Sequence, residues 1–425
     1  MKLLLQYINV ILITILPFSY TEVLSLTNLS PGLFAVSISI GYPQHSFLLL
    51  VDTTSDYTWV RGTNCTFCSY LENIYDEKSS ISVIYPTGIP FTTITDIRGS
   101  VAGEIAFDDI KFGELYVSKL EFIIASEDEF LDLADGVLGL DTSNKIGSNN
   151  NLLNKLYQSG AIKHKIFSIN LKEEMSATLT LGEMPSHIAE DKDNYAYCKI
   201  RSYQKENWNC LVSHILFGDD YNFYNAIPLE NTIVNFATGV TNLYLPQSYI
   251  DLFLNNYFKL LPGYDNNNCI IKKSSKTKNI LCLKRFLNIN GPRPSINFIL
   301  NGYAYQIPFE DLFEDIFSDS YNQYSVFKID FTETPGNEWY FGTVFLKQHE
   351  IVFDGEKMQV GFYSGFKYDF TKLTNENVEE YCLYNTFALI FLGLIIVLPM
   401  LYTVWKKKMS EDHLTYLARK AYKKL

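Results

Sequence analysis

Asp52, Thr53, Thr54 and Ser55 are the residues whose types and spacing most plainly invite chemistry. They end an apolar run in the stretch LLLVDTTSDYTWV (48–60), and an apolar-aromatic run resumes at Tyr57, Trp59 and Val60. A buried strand would thus deliver a carboxylate and hydroxyl-bearing residues onto a tight turn before the chain returns to the core. A carboxylate at the end of a buried strand is costly unless it is paired or used. The same residue types also make ordinary hairpin turns. Other chemistries find no support: the six His show no ligand spacing, and no metal, nucleotide or Ser/His pattern is present, so neither metal nor cofactor is expected.

The elements that position this stretch must come from a large folded body. At 425 residues, 47% apolar and 15% aromatic, the chain can bury sizeable cores. Single cores stop growing near ~250–300 residues, so two lobes or more are expected. The net charge is −12, but 405–425 holds seven Lys/Arg against two Asp/Glu, which leaves the remainder near −17. An acidic body argues against nucleic acid as a partner. The chain opens with one Lys, the apolar run 10–16 and then small and polar residues, which reads as a signal peptide over 1–25. Residues 384–404 are apolar and uncharged, long enough to span a bilayer, and Lys406, Lys407 and Lys408 follow at once. A stalk (366–383), a single-pass transmembrane helix (384–404) and a basic cytosolic tail (405–425) are therefore expected, with the body luminal or extracellular.

The stretch around Asp52 resembles the first active-site loop of the pepsin-like aspartic proteases, an apolar residue followed by Asp-Thr-Gly-Ser and then by Trp. Asp52, Thr53, Ser55 and Trp59 fit, while Thr54 stands in the Gly position. The likeness continues in order along 33–365. LFAVSISIGY (33–42) is similar to the opening strand, and only 26–32 separates it from the leader, too little for the family's basic prosegment. FTTITDIRGSVAGEIAFDDIKFG (91–113) resembles the flap, with Gly99, Ser100, Gly103, Phe107, Asp108 and Gly113 in place but Asp96 where a Tyr is expected. ADGVLGL (134–140), with Asp135-Gly136, is similar to the crossing loop behind the first active-site turn. SINFILNGYAYQIP (295–308) and 339–362, including Trp339 to Gly342, resemble blocks of the second lobe.

The resemblance implies a mainly β, bilobal fold with lobes at 33–190 and 191–365. It also implies a second active-site turn, for which TIVNFATGVTNLYLP (232–246) is the candidate. There Asn235 is read as holding the Asp position, Phe236 the next and Ala237 the Gly, with Thr238 as the retained hydroxyl. Thr53 would reach across to this loop, and Phe236 would have no hydroxyl to answer it. The likeness also implies a disulfide between Cys269 and Cys282. Cys65 and Cys68 fall near the family's small loop and suit a bridge better than a metal pair. Cys198 and Cys210 flank a turn and are placed to pair, and Cys382 is the odd seventh cysteine. Asn28 and Asn64 head glycosylation sequons.

In this family two carboxylates share a proton around a water, one acting as base and the other as acid. With Asn235 opposite Asp52 that pair is lost. The expectation is a membrane-anchored pseudoprotease of the secretory pathway or cell surface that binds an extended peptide or protein in the interlobe cleft through Thr53, Ser55, Trp59, Asp96 and Thr238. An aspartic endopeptidase that works with Asp52 is the alternative.

Overall fold

A computed structural model describes residues 21–363, except 67, 69–72, 89–90, 96–97, 130–132, 143–150, 202–206, 219–225, 266, 275, 289, 317–322 and 334–337, together with 399 and 405–409. Residues 1–368 form one compact unit and 369–425 a second.

Three sheets make up the first unit, and two of them repeat one topology. In the eight-stranded sheet the strand His45–Asp52 runs parallel to Gly136–Gly139, which is antiparallel to Trp59–Thr66. Trp59–Thr66 in turn runs parallel to Leu115–Asp128. In the larger C-terminal sheet Ile227–Phe236 runs parallel to Glu338–Phe341, which is antiparallel to Leu243–Pro246, itself parallel to Tyr324–Thr332. The fold is mainly β and bilobal, as expected. Alternating burial drives these strands: Phe47, Leu49 and Val51 enter the core while Leu48 and Leu50 stay partly exposed.

The third, six-stranded sheet takes strands from both halves of the chain in the order Glu22–Ser25, Thr178–Leu181, Ile166–Asn170, Glu350–Asp354, Gln359–Tyr363 and Tyr195–Lys199. It ties the lobes together, and the expected division at 190/191 separates strands of this one sheet. Phe167 stacks on Phe353 beneath it, and Trp208 meets both rings while its indole N–H donates to Leu140 O at 2.7 Å. The expected leader reaches to about residue 25, and its last residues are described. Glu22–Ser25 pairs with Thr178–Leu181, and Leu24 joins the core. Residues 1–20 lie outside the described residues.

Several family-pattern acids have structural work. Asp108 accepts from Tyr75, Ser80 and Ser82, and Asp135 accepts from Leu48 N at 2.8 Å and from Asn73. Arg61 and Asp128, both buried, pair at 2.6 Å. Asn28 and Asn64 are exposed. Among the described residues no helix is long and apolar enough to cross a membrane; of the expected span 384–404, all but residue 399 lies outside them.

His349 is buried among Tyr305, Phe345 and Phe362, and neither ring nitrogen has a hydrogen-bond partner. Burial pushes its pKa down to about 3. The unfolded chain therefore takes up a proton near pH 6.5 that the folded chain refuses, and stability falls as pH drops through that range. His349→Phe removes this linkage. Its advantage over the natural chain should grow by about 2 kcal/mol between roughly pH 7.5 and pH 5, read from urea or thermal unfolding at the two values.

Candidate active site

Asp52 is carried in by a strand whose core face is apolar, and it ends that strand fully buried. Its carbonyl accepts from Leu140 N at 2.9 Å, which locks the loop onto the crossing segment. The carboxylate is well supplied with donors. Thr54 gives both its N–H and its hydroxyl to Oδ1, each at 2.8 Å. The Thr found in place of Gly thus holds the acid with one more hydrogen bond than a Gly there could make. Ser55 turns its hydroxyl to Tyr57 O at 2.9 Å. Trp59 is buried in a small cluster with Val101, Ile123, Ala125 and Val137.

The facing loop corrects the expected register by two residues. Thr53 Oγ1 donates to Phe236 O at 2.5 Å, and Thr238 Oγ1 donates to Val51 O at 2.8 Å. Thr53 N donates to Thr238 Oγ1 at 3.1 Å, and Thr238 N to Thr53 Oγ1 at 3.2 Å. This reciprocal set makes Thr238 the counterpart of Thr53, Phe236 that of Val51, and Ala237 that of Asp52. The sheets agree independently. Asp52 pairs with Gly139, and continuing the pairing of Phe236 with Phe341 sets Ala237 against Gly342. A Cβ on Gly139 would meet the carbonyls of Ser55 and Tyr57; one on Gly342 would meet those of Val240 and Asn242, the same offsets from Asp52 and Ala237.

Asn235 therefore does not occupy the Asp position. Its amide reaches back toward Trp339 O at 3.5 Å, within its own lobe. The counterpart of Asp52 is a methyl group, Ala237, fully buried. The counterpart of Thr54 is Gly239, not the expected Ala237. Phe236 lacks a hydroxyl, as read, but Thr238 answers Thr53 in its place. Phe236 instead packs against Phe341, Phe345 and Phe362.

Arg98 was not foreseen. It lies on the hairpin between Phe91–Thr95 and Ser100–Phe112, and its guanidinium pairs with Asp52 Oδ2 at 2.5 Å with a side chain 10% exposed. It crosses the facing loop where that loop is barest: a Cβ on Gly239 would lie 2.8 Å from both Arg98 Nη1 and Asp52 Cγ. The only sequence signal was a lone Arg near the hairpin's turn, and its partner lies 46 residues away. Asp96, expected at the flap tip, lies outside the described residues. The pocket beside Arg98, lined by Leu50, Trp59, Val137 and Gly239, has a free volume of about 30 Å³. That is room for a water and far below the ~300 Å³ of a small-molecule site.

A second carboxyl contact flanks the loop. Asp141 N donates to Ser55 O at 3.2 Å, Asp141 Oδ1 accepts from Thr142 N at 2.7 Å, and no protein donor reaches Oδ2. Its side chain lies against the Asp56 carboxyl, a contact that becomes a hydrogen bond only with a proton between the two. Burial, then Asp56 and Asp52, pushes the Asp141 carboxyl well above the usual carboxylate range. In the other lobe Tyr244 is the counterpart of Trp59, and its neighbour Asp330, held by Asn242 and Asn279, stands where Ile123 stands beside Trp59.

Cys65–Cys68, Cys198–Cys210 and Cys269–Cys282 are disulfides. Among the described residues no cluster of His, Cys, Asp or Glu is suited to hold a metal ion.

The family model described as eukaryotic aspartyl protease matches residues 33–364. Vacuolar protease A of Aspergillus fumigatus is 28% identical over 341 residues, covering 76% of this chain and 77% of its own. Pepsin B of Canis lupus familiaris is 23% identical over 353 residues, covering 79% and 82%.

Thr53 joins the two loops, so Thr53→Val should strand buried hydrogen-bonding groups in both lobes and cost about 2–3 kcal/mol. Thr53→Ser keeps the hydroxyl and should retain most of the stability. Thermal unfolding of the two variants side by side measures this.

Proposed function

We propose, since the chain belongs to the eukaryotic aspartyl protease family, that it is a non-hydrolysing member whose cleft serves binding. The observation that carries this reading is Ala237 opposite Asp52. Amide hydrolysis on this fold needs two carboxylates that share a proton, one to take a proton from water and one to give a proton to the carbonyl. A methyl group can do neither. Deamidation of Asn235 would not restore the pair, because Asn235 faces Trp339 O and not Asp52. Arg98 adds to the case, since its guanidinium occupies the Asp52 oxygen that would otherwise face a catalytic water. Asp56 and Asp141 belong to the same lobe as Asp52 and supply no acid from the other side.

The cleft can still bind an extended peptide by main-chain hydrogen bonding, which needs no catalytic acid. The charge-free run 384–404, followed by three Lys, supports a single-pass anchor with the body outside or in the lumen, and the apolar N-terminal run supports a cleaved leader ending before Glu22. Three disulfides fit an oxidising compartment, as does the vacuolar protease A relative by its name. Asn28 and Asn64, exposed sequons, are the glycosylation candidates.

The test is cleavage of a mixed peptide library at about pH 4 to 7 by the detergent-solubilised full-length chain, beside Asp52→Ala, Asn235→Asp and Ala237→Asp. The natural chain, Asp52→Ala and Asn235→Asp should be equally silent. Of these single changes only Ala237→Asp places a second carboxyl across from Asp52. Turnover by the natural chain that vanishes with Asp52→Ala would establish the endopeptidase instead.

A further inference from the structure

We infer that the cleft is a cation site centred on Asp52, filled at rest by the chain's own Arg98, and that the peptide it accepts presents an arginine or lysine to that carboxylate. This rests on the binding reading above and names the ligand class.

The geometry is that of a guanidinium slot. Asp52 is fully buried, its Oδ1 accepts twice from Thr54, and its Oδ2 faces the Arg98 guanidinium at 2.5 Å. The opposite wall is hydrocarbon and bare backbone, Ala237 and Gly239, and Gly239 leaves space that any side chain there would take from the guanidinium. Where two acids of this fold would hold a water, one acid here holds a cation.

Such a site discriminates by charge. Removing one partner of a buried ion pair leaves an uncompensated charge in a poor solvent. A neutral peptide that displaced Arg98 would strand Asp52, whereas one carrying a cation exchanges like for like. The surroundings favour the same ligand. Asp56 and Asp141 lie beside the loop, and the charge of Asp52 is felt at Asp141. Arg98 itself lines the adjoining pocket with Leu50, Trp59 and Val137, so its departure would uncover an apolar wall for the methylene stem of Arg or Lys. The exchange also has a mechanical route. Arg98 is borne on a hairpin whose Phe91–Thr95 strand is the outermost of its sheet, with Phe91 exposed, and weakly held edges open at least cost.

Arg98→Ala in the full-length chain empties the slot, and ethylguanidinium against its neutral analogue N-ethylurea probes it. Ethylguanidinium at millimolar concentration should raise the melting temperature of Arg98→Ala, N-ethylurea should not, and neither should affect the Asp52→Asn/Arg98→Ala double variant. Labelled peptides that differ only in Arg against citrulline should then bind Arg98→Ala with about tenfold or greater preference for Arg, a preference absent from the double variant. Where Arg98→Ala does not fold, Arg98→Lys keeps a displaceable cation and should show the same peptide preference. Equal stabilisation by ethylguanidinium and N-ethylurea, or equal binding of Arg and citrulline peptides, overturns the cation site and leaves a peptide-binding cleft standing. Binding of neither peptide to any variant overturns the binding reading itself.

Discussion

The reciprocal hydrogen bonds between Thr53 and Thr238 are the constraint on which the centre of the molecule depends. Each threonine hydroxyl donates to the carbonyl preceding the other loop's key residue, and each backbone N–H donates to the other's hydroxyl. Both residues are buried, so these groups have no water to fall back on. The set fixes the two lobes face to face at one point, while the six-stranded sheet fixes them at another. None of it involves a carboxylate. The scaffold can therefore keep its geometry after one acid has become Ala237, which is why a family fold and a lost acid coexist in this chain.

The loss has an electrostatic consequence that the rest of the site answers. Two facing carboxyls settle their repulsion by sharing a proton. A single buried carboxylate has no such option and needs donors or a counter-charge. Thr54 supplies two donors from within the loop, and Arg98 supplies the charge from the hairpin above. Thr54, Ala237 and Arg98 are thus three parts of one arrangement. Gly239 completes it, since the guanidinium fits only against a residue without a side chain.

The fold was legible in the sequence because its signals are local: alternating strands, the Asp52 turn, and the blocks around Asp135 and Trp339 each declare themselves within a few residues. The second loop was misread for an equally local reason. Asn is the nearest chemical likeness to Asp, and it drew the register onto Asn235, although Thr238-Gly239, directly after Ala237, gave the better match to the Thr-Gly expected after the acid. The hydrogen bonds that cross between lobes, and the matching sheet register within each lobe, fix which residue faces Asp52. Arg98 was illegible for the related reason that an ion pair spanning 46 residues has no periodicity to betray it. The pairing of Glu22–Ser25 was equally illegible, because it looks like any short polar-apolar segment until it is seen on the edge of a sheet.

Buried titratable groups elsewhere pull the folded state in opposite directions with pH. Burial pushes Asp330 up to about 6 against the hydrogen bonds it accepts. A raised carboxyl contributes stability that is full below its unfolded pKa and fades as pH rises through the folded value; Asp141 acts in the same sense. His349, held neutral down to about 3, contributes in the reverse sense and weakens the fold as pH falls below 6.5. Across the mildly acidic range the carboxyls therefore offset part of what the histidine loses. The same proton that stabilises Asp141 beside Asp56 also lowers the negative charge around Asp52, so acidity relaxes the field that holds a cation in the cleft. Cation binding at Asp52 and folding stability are in this way linked through Asp141.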